Sequence, residues 1–238
     1  SASSRRPSTL STIPRFILQR PSSRTAPARE ASTTARLQAQ RAFTSSPRSI
    51  GISVMFSSFF ECTYGSYIRM YYQKTFDAII ATPLSLDEVI LGEIFWGATK
   101  SFISVSIMCG VIHAFGFMKF PDLIALPFVA FLGGLFFASV AMCFTSFTPG
   151  IDAFNYPIFL FITPMSLFGG TYFPIEGLPR WAQHLAAFMP LTHLTSVTRS
   201  IAFGHWDAGV FVRLAALVVL VVPLMMLAVR LMKRRLIV

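Results

Sequence analysis

The chain has 238 residues, of which 54% are hydrophobic and only 13% are charged, and 25 of them are phenylalanine. A soluble domain carries roughly a quarter charged residues, so this composition excludes an ordinary soluble enzyme or binding domain. The net charge of +10 is unevenly distributed, because much of the positive charge lies before Ser49.

Residues 1–49 form a basic arm that is rich in Ser, Thr, Ala and Pro and contains one acidic residue, Glu30. We expect this arm to be disordered, because it has too few apolar residues to build a core. An arginine-rich and serine-rich segment is typical of an organelle transit peptide, and Arg41–Ser46 resembles the end of a mitochondrial presequence. A wrongly assigned gene start explains the arm equally well. Nucleic-acid binding is not expected, because aromatic residues do not alternate with the basic ones.

The rest of the chain, residues 50–238, contains five apolar runs of the length that crosses a bilayer, about 20 residues each. They are Ile50–Ile68, Ile94–Phe117, Leu123–Phe147, Ala153–Tyr172 and Val210–Met232. Five such runs in a short chain predict an all-α, polytopic transmembrane helical bundle. The alternative, a set of buried helices in a soluble protein, does not fit so many runs.

The first run contains Glu61, and the second begins at Glu93 and contains Lys100. An ionisable group inside a membrane is costly, so Glu61 is predicted to line a pathway or to pair with a base on a neighbouring helix. An interfacial position for Glu61 is the alternative. Glu93 and Lys100 share a helix face about 10 Å apart, too far for a direct bond. Each is therefore expected to have another partner or to extend to the interface.

A polar stretch, Arg69–Glu93, separates these two runs. Thr82-Pro83 breaks it, because proline lacks an N–H donor and biases the preceding residue away from helix. Ser85 and Glu88 have the spacing of a capping box, so a new helix is expected to start there. We therefore predict a helix, a proline break and a second helix at the membrane surface, where a soluble partner could contact them.

The fourth run follows a turn signal at Pro149-Gly150, with Asp152 as the predicted N-cap. It contains Pro157 and Pro164. Proline frees backbone carbonyls in a spanning helix and kinks its axis. The helix is therefore predicted to be bent, so that it lines a cavity or acts as a hinge; static packing is the alternative.

The segment before the last run, residues 173–204, is long and apolar. Pro179 suits the first turn of a helix, and Trp181, Leu185 and Phe188 form one apolar stripe. We predict an amphipathic interfacial helix here, followed by a second short helix over Leu191–Ile201. His184 and His193 lie here without a nearby Cys, Asp or Glu, so no metal site is expected.

The last run ends in four basic residues, Arg230, Lys233, Arg234 and Arg235. The positive-inside rule places this tail in the cytoplasm. Five spans then place Arg69–Glu93 on the cytoplasmic face and the amphipathic segment outside. The same count puts the basic arm outside, which conflicts with the rule; a cleaved presequence or an additional first helix would remove the conflict.

Several segments together resemble the ABC-2 type permeases, closest to the nodulation protein J branch of export permeases. They are residues 73–101, Thr148–Asn155, Phe161–Met165, Gly170–Pro174 and Pro190–His193, and the resemblance extends from Ser53 to the C-terminus. It implies six spanning helices, of which the first and its preceding elbow are missing from this sequence. It also implies a homodimer bound to two cassette ATPase subunits, which bind the ATP; this chain itself is then no enzyme and needs no cofactor.

In the family, the loop between the second and third helices carries a coupling helix that touches the ATPase, which maps here onto Thr75–Val89. The residues that we expect to couple to the ATPase are Lys74, Thr75, Phe76, Asp77, Thr82, Pro83, Leu84, Ser85 and Glu88. The residues expected to line the pathway are Glu61, Glu93, Lys100, Pro157 and Pro164. Substitution of Asp77 or Pro83 is expected to uncouple ATP hydrolysis from transport.

The resemblance implies ATP-driven export of an amphipathic or lipid-linked molecule, such as a lipo-oligosaccharide or a drug-like compound. The bacterial inner membrane is the expected location, with the mitochondrial inner membrane as the alternative if the arm is a presequence. Two other functions stay open. One is a transporter driven by an ion gradient, with Glu61, Lys100 and His113 as carriers, and the other is a membrane assembly subunit that transports nothing.

Overall fold

A computed structural model describes residues 49–80, 83–114, 120–169, 179–204 and 207–236. Within these ranges the chain forms helices and the turns between them, and it contains no strand. The predicted all-α class is confirmed. The basic arm before Ser49 and the predicted coupling residue Thr82 lie outside the described residues.

The helices in chain order are α1 (residues 49–72), α2 (Thr75–Ile80), α3 (Leu86–Ala114), α4 (Phe120–Phe147), α5 (Ile151–Phe168), α6 (Arg180–Phe188), α7 (Pro190–Ala202) and α8 (Ala208–Leu236). The predicted helix–break–helix pattern is present as α2, a turn at Pro83, and α3. The two short helices predicted before the last span are present as α6 and α7.

Four described helices, α3, α4, α5 and α8, are long and apolar enough to cross a membrane. They correspond to the last four of the five predicted runs. The first predicted run is helical, as α1, but it is not among these four. Its polar content explains this, because Glu61 is accompanied by several Ser, Thr and Tyr residues.

Helix α4 lies at the centre of the described bundle and packs against α1, α3, α7 and α8. Two glycines allow the close approach. A Cβ atom at Gly134 would lie 3.0 Å from the Cα of Ala98 and 3.1 Å from the Cβ of Ser101, both on α3. A Cβ at Gly133 would lie 2.8 Å from the side chain of Leu194 on α7. Small residues at helix contacts are typical of membrane bundles, where backbones approach closely.

The contact between α1 and α3 is also close, and it is partly polar. The hydroxyls of Ser58 and Ser101 lie 2.5 Å apart, and Ser101 donates to the carbonyl of Val54 at 3.2 Å. A Cβ at Gly97 would lie 2.6 Å from the sulfur of Cys62. The buried hydroxyls therefore find partners inside the bundle, which removes the cost of desolvating them.

Helix α5 is irregular along its length. It begins as a 3₁₀ turn at Ile151–Phe154 with Gly150 as the N-cap, so the prediction of Asp152 as the N-cap was wrong. Asp152 lies in the first turn instead. Between Pro157 and Pro164 the helix is π-helical, over Ile158–Ile162, and it then returns to α-helix until Phe168.

Candidate functional site

The proline-broken segment that joins α1 to the first turn of α3, which we call the break segment, covers residues 74–88. Lys74 has a φ of 49°, the left-handed conformation that ends α1 and turns the chain into α2. After Pro83, the carboxylate of Glu88 accepts a hydrogen bond of 2.9 Å from the backbone N–H of Ser85. This is one half of the predicted capping box, and it fixes the start of α3.

The break segment has a buried side and an exposed side. Phe76 is 1% exposed and belongs to the hydrophobic core, so it anchors α2 to the bundle. Pro83, Leu84, Ser85 and Glu88 are exposed, and Leu84 keeps 52% of its surface accessible. Leu84 is therefore an exposed apolar side chain next to the hydrogen bond that caps α3.

Four charged residues form a cluster between α1 and α3, which we call the charge cluster: Glu61, Arg69, Glu93 and Lys100. Arg69 bonds both oxygens of Glu93, at 2.8 and 2.5 Å, and one oxygen of Glu61 at 3.0 Å. Lys100 bonds the other oxygen of Glu61 at 2.5 Å. Two acids and two bases thus balance each other, so the cluster carries no net charge into the bundle.

Two neutral donors complete the charge cluster. The indole N–H of Trp96 donates to Glu61 at 3.0 Å, and the hydroxyl of Ser66 donates to Glu93 at 2.7 Å. The side chains of Glu61 and Glu93 are only 11% and 13% exposed. Such burial is tolerated because each carboxylate is paired and hydrogen-bonded.

The geometry predicted for these residues is confirmed in the described structure. Glu93 and Lys100 do not bond each other, and each has a partner on α1, as their spacing predicted. Glu61 pairs with bases, which was one of its two predicted roles.

Arg69 was missed as a site residue, although Glu61, Gly65 and Arg69 lie four residues apart on one helix face. A Cβ at Gly65 would lie 3.2 Å from Glu61 and 3.4 Å from Arg69, so this glycine leaves room for the pair.

The C-terminal tail of α8 lies at the same end of the bundle as the break segment. Lys233 forms an ion pair of 2.5 Å with Asp87, in the first turn of α3. Arg235 donates to the carbonyl of Thr145 at the end of α4 and, at 2.9 Å, to the hydroxyl of Tyr71 on α1. The tail and the break segment therefore lie at the same end of the described bundle.

The two predicted pathway prolines lie on α5, away from the charge cluster in sequence. Pro157 precedes the π-helical segment Ile158–Ile162, and Pro164 follows it in the first turn of the next α-helical part. The hydroxyl of Thr163 donates to the carbonyl of Ile158, five residues earlier, at 3.0 Å. A π-helical segment within an α-helix is frequent at functional sites, and it marks where α5 departs from a regular helix.

A large apolar groove lies between α4, α5, α7 and α8, with a volume of about 700 Å³. Phe136, Phe144, Phe161 and Leu217 are among the residues that line it, and Phe144 and Phe161 have ring centroids 5.6 Å apart. Arg213 and His193 are its polar lining residues. No pattern in the sequence indicates this groove, because its walls come from four helices. No group of three or more His, Cys, Asp or Glu residues that could hold a metal lies among the described residues.

Comparison with known proteins shows which family this chain resembles. The model of the ABC-2 type transporter family matches residues 12–203. Nodulation protein J of Sinorhizobium fredii is 35% identical over 188 residues, which cover 79% of this chain and 71% of the relative. Nodulation protein J of Rhizobium leguminosarum bv. trifolii is 36% identical, with the same coverage. The probable multidrug ABC transporter permease YbhR of Escherichia coli (strain K12) is 23% identical over 134 residues, 54% of this chain and 35% of the relative. No solved structure matches the chain significantly.

Proposed function

This chain belongs to the ABC-2 type transporter family, and from that premise we propose that it is the permease subunit of an ATP-driven exporter. A separate cassette ATPase binds and hydrolyses the ATP, and two copies of the permease form the pathway. The bacterial inner membrane is the proposed location, with the mitochondrial inner membrane as the alternative. One relative is named a probable multidrug ABC transporter permease, which supports the role of a permease that moves drug-like compounds.

We propose that the cargo is amphipathic or lipid-linked. The groove of about 700 Å³ supports this, because its lining is mostly aromatic and aliphatic while Arg213 and His193 supply polar contacts. Ligand sites commonly combine an apolar lining with a few polar groups that fix orientation. An acyl chain or a ring system would occupy the apolar part, and a polar or anionic head would lie beside Arg213.

One observation carries the proposal: the exposed end of the break segment, residues 83–85, continues directly into α3, which bears half of the charge cluster. Glu88 caps α3, and Glu93 lies little more than one turn further along the same helix. Glu93 in turn holds Arg69 of α1. A displacement of the break segment by the ATPase therefore moves α3 and α1 together. The ATPase shifts the equilibrium between inward-open and outward-open states, because it binds them with different affinity.

The test is a pair of matched substitutions in the full chain, Leu84→Asp and Leu185→Asp. Both leucines are about half exposed, at 52% and 49%, but Leu84 lies in the break segment and Leu185 in α6. We expect Leu84→Asp to lose both the ATPase that co-purifies with the wild-type chain and the export activity. Leu185→Asp should keep both. Equal retention of the ATPase by the two variants, or export without any ATPase, would overturn the proposal.

The alternative of an ion-gradient transporter relies on Glu61, Lys100 and His113 as carriers, and the structure describes the bonds of the first two. These two residues bond each other at 2.5 Å, and Glu61 is held by Arg69 as well. A carboxylate that accepts bonds from two cations is stabilised in its charged form and resists protonation. The arrangement therefore favours a fixed connection between α1 and α3 over a proton carrier. Export that depends on a proton gradient and continues without ATP would favour the alternative.

A further inference from the structure

A second groove lies at the other end of α8, between this helix and the start of α3, and it has a volume of about 400 Å³. Its walls are apolar side chains of the two helices, Leu91, Met225, Met226 and Val229. Its mouth is formed by three charged residues, Asp87, Arg230 and Lys233. The groove is separate from the apolar groove assigned to the cargo, with which it shares no lining residue.

The charged mouth of the groove is incompletely paired among the described residues. Lys233 bonds one oxygen of Asp87 at 2.5 Å. The other oxygen, Oδ1, is buried and accepts no hydrogen bond within the described part of the chain. Arg230 lies one turn before Lys233, is exposed, and forms no ion pair with any described residue. The mouth therefore offers a free cation and a buried acceptor that lacks a donor, and such an acceptor is costly to leave unpaired.

The helix lengths place this mouth at the level of the lipid head groups. Helices α3 and α8 each have 29 residues. At about 1.5 Å per residue, each exceeds the roughly 30 Å thickness of the hydrocarbon core, so its ends reach the head-group layer. Asp87 lies in the first turn of α3 and Lys233 in the last turn of α8. Leu91 and Met225 lie at least one turn deeper, at the level of the acyl chains.

We propose that this groove binds one molecule of phosphatidylethanolamine as a fixed component of the protein. The lipid phosphate accepts hydrogen bonds from Arg230 and Lys233, and its ammonium group donates to the unpaired Oδ1 of Asp87. One acyl chain lies along Leu91 and Met225. Basic pockets between membrane helices bind the phosphates of anionic lipid head groups. Here the carboxylate oxygen of Asp87 that is unpaired among the described residues, beside the two cations, fits a head group that also carries an ammonium. A choline head group has no N–H donor, and a glycerol head group has no cation to face the carboxylate. This inference does not depend on the proposed export function.

The test measures lipid binding to the purified full chain by native mass spectrometry. Phosphatidylethanolamine, phosphatidylcholine and phosphatidylglycerol with identical acyl chains are each added at the same concentration. We expect the wild-type chain to bind phosphatidylethanolamine at least about fivefold more tightly than phosphatidylcholine, because both head groups carry one positive charge but only ethanolamine donates a hydrogen bond to Asp87. Arg230→Gln should lower this binding by about the same factor. Asp87→Asn should reduce the preference for the ethanolamine lipid over the choline lipid.

The matched control is Arg234→Gln, because Arg234 is an exposed cation of the same tail that does not line the groove. It should bind phosphatidylethanolamine like the wild type. Four results would overturn the proposal, of which three concern the comparison of lipids and variants. They are equal binding of the ethanolamine and choline lipids, tighter binding of phosphatidylglycerol than of phosphatidylethanolamine, and equal losses in the Arg230 and Arg234 variants. No response to Arg230→Gln would also overturn it, and is expected if a second copy or another segment covers the groove.

Discussion

At the scale of single residues, Arg69 is the centre of the charge cluster. It is 25% exposed and bonds two carboxylates that are almost buried, whereas Lys100 is 45% exposed and bonds only Glu61. Removal of one partner from a buried ion pair leaves an uncompensated charge, which costs about 3–5 kcal/mol. An ion pair with an exposed partner contributes about 1 kcal/mol or less.

We therefore predict that Arg69→Gln lowers the melting temperature of the purified protein much more than Lys100→Gln does. The free energy of unfolding should fall by about 3 kcal/mol in Arg69→Gln and by less than about 1 kcal/mol in Lys100→Gln. Thermal unfolding in detergent measures both. A double variant, Arg69→Gln with Glu93→Gln, should lose less than the sum of its single changes, because the two residues act on each other. Equal melting temperatures of the two single variants would contradict the assigned geometry.

A second prediction concerns the glycines of the helix contacts. Gly134→Ala places a methyl group 3.0 Å from the backbone of α3, whereas a Cβ at Gly110 meets nothing within 4 Å. Gly134→Ala should destabilise the protein by about 1–3 kcal/mol through overpacking. Gly110→Ala should stabilise it by up to about 1 kcal/mol, because alanine favours the helix. Thermal unfolding decides this too, and a stabilising Gly134→Ala would show that α3 and α4 do not pack this closely.

At the scale of elements, the irregular backbone of α5 allows a test of whether this helix bends during transport or stays rigid. Pro164 adjoins the π-helical segment, whereas Pro127 lies inside α4, which is α-helical over its whole length. If α5 bends during transport, Pro164→Ala should reduce export severalfold while the protein still inserts and folds. Pro127→Ala should leave export unchanged. Export rates in reconstituted vesicles, compared at equal protein content, measure the difference, and equal rates in the two variants would show static packing of α5.

The sequence predicted the elements better than it predicted their contacts. Proline and the Ser85–Glu88 spacing located the break and the start of α3 because these signals act within a few residues. The spacing of Glu93 and Lys100 showed that they need other partners, but not which ones. Partner choice depends on how α1 packs against α3, and helix packing is set by contacts between residues far apart in sequence. For the same reason, neither groove could be predicted.

At the scale of the whole molecule, the side of the break segment does not depend on whether α1 crosses the membrane. Counted back from the basic tail, the four helices α8, α5, α4 and α3 return the chain to the side of the tail before α3 begins. The ion pair between Lys233 and Asp87 places the tail and the start of α3 at one end. The conflict over the basic arm therefore leaves the location of the break segment unaffected.

The central claim is that a cytoplasmic ATPase moves the bundle through the break segment. Cysteine labelling at Leu84→Cys, with the native Cys62, Cys109 and Cys143 replaced by alanine, tests it most directly. A membrane-impermeant maleimide should label this cysteine only from the cytoplasmic side, and the bound ATPase should protect it. Labelling from the opposite side, or an unchanged labelling rate when the ATPase is bound, would contradict the account.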